Sequence, residues 1–271
     1  HVTLAVDDAD GIVYEFLSQT LPDDTEVKEY CLDSCMLMIC TFPYNGGTMN
    51  TDVAFMDKQT ALSRTIGKPE IVEDSDLTSG IYLPMLYKSA DCSVGKTIEI
   101  SIGSHPVTYT ICGFFNSVMM GSHNCALMQT ILTADKYAEL ENLNYAPQAT
   151  LCSVRLNDIS NNLNYRATLK STVSENFPNT RMIGSCYDVV VQARYISQMI
   201  CSGIISVMAF IVLLIALVVI ISNIINYIQV NVKNLGAFKA TGYTSRQLVC
   251  SLLLQFLGLT LIAAIVGAGL S

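Results

Sequence analysis

The sequence predicts an α+β extracytoplasmic domain followed by transmembrane α-helices. Three observations carry this. The charges are split: all 23 acidic residues and 12 of the 15 basic residues lie before position 200, a formal −11, while the remainder holds only Lys233, Lys239 and Arg246. Met199 to Ser222 is a run of 24 residues without a charge, dominated by Ile, Val, Leu and Ala. The first 195 residues alternate strand-like and helix-like stretches. Water and lipid are the two environments that separate charge in this way, and the mean hydropathy of +0.42 reflects the lipid share. An acidic first part also excludes nucleic acid as a partner, because phosphate binding needs clustered Lys and Arg.

Taken in order, Val2–Val6 is a strand. Asp7-Asp8 is an N-terminal cap for a helix reaching about Thr20, with Ile12, Val13, Phe16 and Leu17 on one face. Pro22-Asp-Asp ends that helix, and Glu26–Tyr30 returns as a strand. Residues 35–145 read as a β-rich insertion, with strands around Ile81-Tyr-Leu-Pro, Thr97 to Gly103 and Val107–Phe115. Gly46-Gly47 and Gly103-Ser104 mark turns. Thr133-Ala-Asp-Lys opens a short helix to about Leu143. Thr150–Leu156 is a strand, Asp158 to Phe177 an amphipathic helix and Arg181–Gly184 a short strand. Residues 1–34 and 146–195 thus form two βαβ-like halves of a ferredoxin-like sheet, with helices on one face.

Residues 196–271 are the membrane region. At 1.5 Å per residue the run 199–222 gives roughly 36 Å of helix, enough for a hydrocarbon core of about 30 Å. A second span, 248–270, carries Gly258, Ala263, Ala264, Gly267, Ala268 and Gly269, residues that allow close helix packing in lipid. The loop 223–247 has three cations and no anion, which places it in the cytoplasm and residues 1–195 outside. Asp188 to Met199 has no Pro or Gly, so domain and span are expected to join as one continuous rod, with Arg194 and Tyr195 as interfacial anchors. The chain opens on His1-Val-Thr-Leu-Ala-Val, which reads as an internal strand, so a membrane segment is expected ahead of it.

Ten cysteines leave two readings open. Cys31, Cys35 and Cys40 are close enough to invite a disulfide outside the cell. Cys112 in a strand-like run, and Cys201 and Cys250 in lipid-length helices, instead read as small buried hydrophobes, and this second reading is favoured. No zinc-like Cys/His spacing occurs. Catalytic chemistry has little support. His1, His105 and His123 are scattered, no GxSxG or phosphate loop is present, and acid pairs such as Asp23-Asp24 and Glu73-Asp74 read as caps and solvated turns. No cofactor is expected. Met36, Met38, Met119 and Met120 could line an apolar groove, although core packing is the commoner use.

Two stretches resemble a known family. Ser79 to Ile100, with Ser-Val-Gly-Lys-Thr at 93–97, resembles the outer-domain signature of MacB-like and FtsX-like ABC transporter permeases; Lys96 stands where that turn usually has Asp. Val232-Lys-Asn-Leu-Gly-Ala-Phe-Lys-Ala-Thr-Gly-Tyr-Thr-Ser-Arg-Gln-Leu resembles the cytoplasmic loop of the same permeases, with Asn234 replacing the usual Glu. The resemblance implies a MacB/FtsX/LolC-like permease subunit that is not itself an enzyme. It implies ATP hydrolysis in a separate cytoplasmic ABC ATPase, a second permease copy or homologous half, and a further membrane helix on each side of the chain. In that reading Lys233, Gly236, Lys239, Gly242, Tyr243 and Arg246 form the ATPase-coupling loop. Gly236 and Gly242 permit tight turns or close backbone approach, and Thr244-Ser-Arg-Gln247 has capping-box spacing. Without the resemblance, the three cations could as well only set topology and touch anionic lipid. The alternative function is a membrane-bound sensor whose outer domain binds a ligand, but about 25 residues is short for a signalling output domain.

The charge split makes a topological prediction. In a cysteine-free background, a single thiol at position 74 should react with an impermeant reagent on intact cells, and one at 234 only after permeabilisation. Labelling of both from outside would reverse the orientation.

Overall fold

The computed structural model describes residues 1–90 and 92–270. It divides into two compact units, His1–Gln198 and Met199–Ser271.

In the first unit the strands are β1 (Val2–Asp7), β2 (Val27–Tyr44), β3 (Gly47–Asp57), β4 (Glu70–Glu73), β5 (Ile81–Pro84), β6 (Thr97–Ile102), β7 (His105–Asn116), β8 (Met128–Leu132), β9 (Gln148–Leu156) and β10 (Met182–Cys186). They form one mixed sheet in the order β10-β1-β9-β2-β3-β8-β5-β7-β4, with β6 paired to β2 and β7. Helices α1 (Ile12–Thr20), α2 (Lys58–Ser63), α3 (Ala134–Leu143) and α4 (Asn162–Asn176) pack on it. Within β10-β1-β9-β2 every neighbouring pair is antiparallel. Because α1 links β1 to β2 and α4 links β9 to β10, each link skips one strand, which is the split βαβ arrangement.

Successive side chains in β1 point to opposite faces. Val2, Leu4 and Val6 meet Val13 and Leu17 of α1 and Tyr165, Leu169 and Val173 of α4 in one core cluster. Ala5 faces the other way, into a cluster with Cys35, Leu37, Leu151 and Met56. Asp8 organises the start of α1: its carboxylate accepts from the Val13 and Tyr14 amides at 3.0 and 2.9 Å and from the Thr150 hydroxyl at 2.8 Å. Gly11, at φ +73°, turns the chain so that this loop can close, and the helix therefore begins at Ile12. Asp7 remains in β1, where burial raises its carboxyl pKa.

No break marks position 35, where the sequence division between half and insertion falls. β2 is 18 residues long and runs through it, pairing with β9 over Val27–Met36 and with β3 over Met36–Tyr44. The β2–β3 hairpin turns on Asn45 and Gly46, both at positive φ, as a two-residue hairpin loop requires. Met36, Met119 and Met120 are buried in the core, and Met38 packs half-buried against it.

The segment after β3 crosses the sheet face opposite α1 and α4. Its fastening is Arg64, whose side chain is fully buried. Nε pairs with the Asp33 carboxylate at 2.8 Å and Nη2 donates to the Ser153 hydroxyl at 2.6 Å. The Cys31 thiol donates to the same carboxylate. Ala61 and Ile66, on either side in the chain, are buried with it.

Cys35, Cys40, Cys112, Cys125, Cys152 and Cys186 are buried free thiols. Burial pushes Cys35 and Cys152 up to about 12.

After β10, α5 (Tyr187–Val230) leaves the first unit and enters the second. Its root is fixed in the first unit: the Tyr187 amide donates to the His1 carbonyl, the Asp188 amide to Asn162 Oδ1, and Val190 is buried beside Met119 and Met120. Among the described residues α5 is the one helix long and apolar enough to cross a membrane. Two shorter elements follow, α6 (Val232–Ala240) and α7 (Ser245–Leu270). Residues 223–230, expected as loop, are the last turns of α5: nothing in Asn223 to Val230 breaks the backbone ladder, and the Asn231 amide still bonds the Tyr227 carbonyl. The expected span 248–270 lies on α7; Asp91 and the side chains of Ala264 and Ala268 lie outside the described residues.

Arg64→Ala should strand the buried Asp33 carboxylate and cost about 3–5 kcal/mol, whereas replacing both partners by apolar residues should cost far less. Urea unfolding of the solubilised chain, read by alkylation of the buried Cys152 thiol, would separate the two variants.

Candidate functional site

The candidate site is the elbow between α5 and α7, and its backbone is closed by two standard devices set end to end. At the C-terminus of α6, the Tyr243 amide donates to the Phe238 carbonyl at 3.1 Å and the Gly242 amide to the Lys239 carbonyl at 3.2 Å. These are the paired bonds of a Schellman cap, with Gly242 at its left-handed position, φ +102°. The accompanying contact is present: the Phe238 and Tyr243 rings meet edge to face at 5.8 Å. Immediately afterwards Thr244 caps α7. Its amide donates to Gln247 Oε1 at 2.9 Å, and the Gln247 amide faces Thr244 Oγ1 at 3.4 Å, a reciprocal capping box. One helix is thus stopped and the next started within four residues, with the Gly242, Tyr243, Thr244 and Gln247 amides all bonded locally.

The six residues singled out from the sequence fall into different roles. Lys233, Gly236 and Lys239 lie on α6, Gly242 and Tyr243 form the cap, and Arg246 is the second residue of α7. All six are exposed. Gly242 serves as a turn glycine. Gly236 does not: it sits within α6 without a positive φ, and a Cβ there would meet nothing within 4 Å. Its hydrogen at Cα therefore leaves an open patch on the helix surface rather than a bend.

The elbow carries three cations and no acid. Lys239 in the last turn of α6 suits the helix dipole. Arg246, in the first turn of α7, opposes it, a cost of about 0.3–1 kcal/mol that local stability does not require. Asn234, Ala237, Phe238, Thr241 and Tyr243 border a shallow recess beside the aromatic pair. Phe238, Thr241 and Thr244 were passed over in the sequence as site residues. The aromatic at Phe238, five residues before Tyr243 across a glycine, is the local sequence signal that marks such a cap. Among the described residues no cluster of His, Cys, Asp and Glu could hold a metal ion.

Comparison with known proteins bears on this region. Residues 206–271 match the family described as FtsX-like permease C-terminal. The matched stretch contains the whole elbow. Similar solved structures for the chain include the periplasmic region of MacB from Actinobacillus actinomycetemcomitans. That match has 9% identity and a TM-score of 0.32, and it covers 71% of this chain and 92% of that one. The extracellular domain of the noncanonic ABC-type transporter YknZ from Gram-positive bacteria is similar at 11% identity and TM-score 0.31, over 68% of this chain and 98% of that one. A domain of a permease protein from Porphyromonas gingivalis follows at 11% and 0.30, over 69% and 90%. No curated protein matches the sequence.

The two caps can be tested separately. Gly242→Ala meets no atom but must hold a positive φ, at about 1–2 kcal/mol. Thr244→Ala loses a helix cap worth about 1 kcal/mol, which Thr244→Ser should restore. Amide hydrogen exchange at Tyr243 should quicken in Gly242→Ala, whereas exchange at Gln247 and Leu248 should quicken in Thr244→Ala and return to the parental rate in Thr244→Ser.

Proposed function

We propose that this chain is the permease subunit of an ABC transporter. It receives ATP-driven motion from a separate cytoplasmic ABC ATPase at the elbow and passes it to an extracytoplasmic domain. The observation that supports this most directly is the match of residues 206–271 to the FtsX-like permease region, coinciding with an exposed, purely cationic elbow whose shape is set by its own caps. A short, internally satisfied turn between two helices moves as a piece when it is pushed. In this reading 199–222 and 248–270 are both membrane spans, the segment between them is cytoplasmic, and residues 1–195 face outward. The outer part is a ferredoxin-like pair of βαβ halves carrying a β-rich insertion.

Lys233, Lys239 and Arg246 offer positive charge to an acidic face of the ATPase. Gly242 holds the angle, Tyr243 is the exposed aromatic of the recess, and Gly236 leaves room for close approach. A second copy, or a homologous half, completes the membrane assembly, and lipid covers the exposed apolar faces of α5 and α7. The output is export of a peptide, antibiotic or lipid-linked cargo, or mechanical work on an extracytoplasmic partner. The chain itself does no catalysis.

Gly242→Asp adds bulk, a negative charge and an unsuitable φ at the elbow, while the core of the outer unit is untouched. It should lower co-purification with the ATPase and abolish transport-linked ATP turnover in reconstituted membranes. Lys239→Ala should do less, because one surface ion pair is worth about 0–1 kcal/mol. Equal turnover for both variants and the parent would make the elbow a passive loop.

A further inference from the structure

The outer unit is acidic, yet between Glu99 and Asp135 it contains no Asp, Glu, Lys or Arg. The β7–β8 connection, residues 117–127, lies inside this uncharged stretch. It is compact. Met119, Met120, Cys125 and Leu127 are buried in the core cluster that also takes Val190 from the root of α5. A Cβ on Gly121 would meet the Ser117 carbonyl at 2.3 Å, so that close turn admits only glycine. Arg194 of α5 fastens this connection: its Nη2 donates to the Val118 carbonyl at 3.1 Å. The Val118 side chain is left 66% exposed.

Arg194 stands five residues before Met199, where the uncharged run of α5 begins. Five residues of helix rise about 7.5 Å. The polar layer on each side of a hydrocarbon core is of the same order, roughly 5–8 Å. Tyr195 and Ile196, the next two residues, are exposed as well. Arginine, tyrosine and the two aliphatic side chains of Val118 and Ile196 are what a headgroup layer accepts; anionic lipid would repel the acids that cover the rest of the unit.

We propose that the 117–127 connection is a lipid-contacting foot, in which Val118 enters the headgroup boundary and Arg194 holds the connection to the helix while presenting its charge to lipid phosphate. The inference rests on α5 spanning the membrane, as in the function proposed above. The span provides the attachment, and the foot limits how far the outer unit tilts against the bilayer.

The chain has no tryptophan, so a single introduced one reports its own surroundings. Full-length Val118→Trp, Thr108→Trp and Ile211→Trp variants would be placed in phosphatidylcholine vesicles carrying bromine either near the headgroup or deep in the acyl chain. Thr108 is exposed and lies eight residues up β7 from Asn116, about 26 Å of strand. The expected result is blue-shifted emission at 118 with loss of signal to shallow bromine, none at 108, and loss to deep bromine at 211. Full emission at 118 with a water-like spectrum overturns the foot, and so does a blue-shifted but unquenched signal, which would mean protein covers Val118. Equal quenching at 108 and 118 also overturns it. An unquenched 211 overturns the membrane span itself, and the foot with it.

Discussion

The ion pair between Arg64 and Asp33 is the constraint on which the first unit depends. Burying a guanidinium is costly unless its donors are met; here Nε meets a carboxylate on β2 and Nη2 a hydroxyl on β9, while Nη1 is buried with no hydrogen-bond partner among the described residues. Those two strands are neighbours in the split βαβ sheet, so the segment after β3 can lie in only one place across them. Met56, Ala61, Leu37 and Leu151 share the core that results. Hydrophobic packing alone tolerates sliding. A buried charge does not, because a small shift leaves both partners unsatisfied.

The same β2 strand solves a second problem. Two sheets from distant parts of the chain would each have an exposed edge. One 18-residue strand pairs with β9 along its first half and β3 along its second, so the halves become one sheet and the edges at their junction disappear. α5 then leaves from the end of β10, rooted by Val190 in the shared core.

The second unit is built on another principle. Its apolar side chains are almost all exposed and its local order comes from hydrogen bonds within each helix and at the two caps. The elbow needs no tertiary core, because the Schellman cap, the Phe238–Tyr243 contact and the Thr244–Gln247 box are short-range. A surface that is shaped locally and left uncovered is suited to a partner. Arg246 sits against the helix dipole, so its charge does not help α7 start.

This difference explains what was legible. From the sequence came the division into an acidic part and an apolar part, the strands and helices of the βαβ halves, the capping box at Thr244 and the glycine turn at Gly242, because each depends on residues a few positions apart. Of the two uses open to Gly236, a turn or close backbone approach, the turn is ruled out by its place inside α6, since glycine permits bending without demanding it. The length of β2 was hidden because Cys31 to Cys40 is buried on both faces for much of its run and so lacks the two-residue alternation that marks a half-exposed strand. Nor could Arg64 be matched to Asp33, 31 residues away, or Arg194 to Val118, 76 away. The sequence by itself determined the elements and the environments they suit, through short-range hydrogen bonding and local polarity. Only the tertiary structure decided which distant strands share an edge and which buried charge meets which partner, because those contacts depend on how the chain closes over long separations.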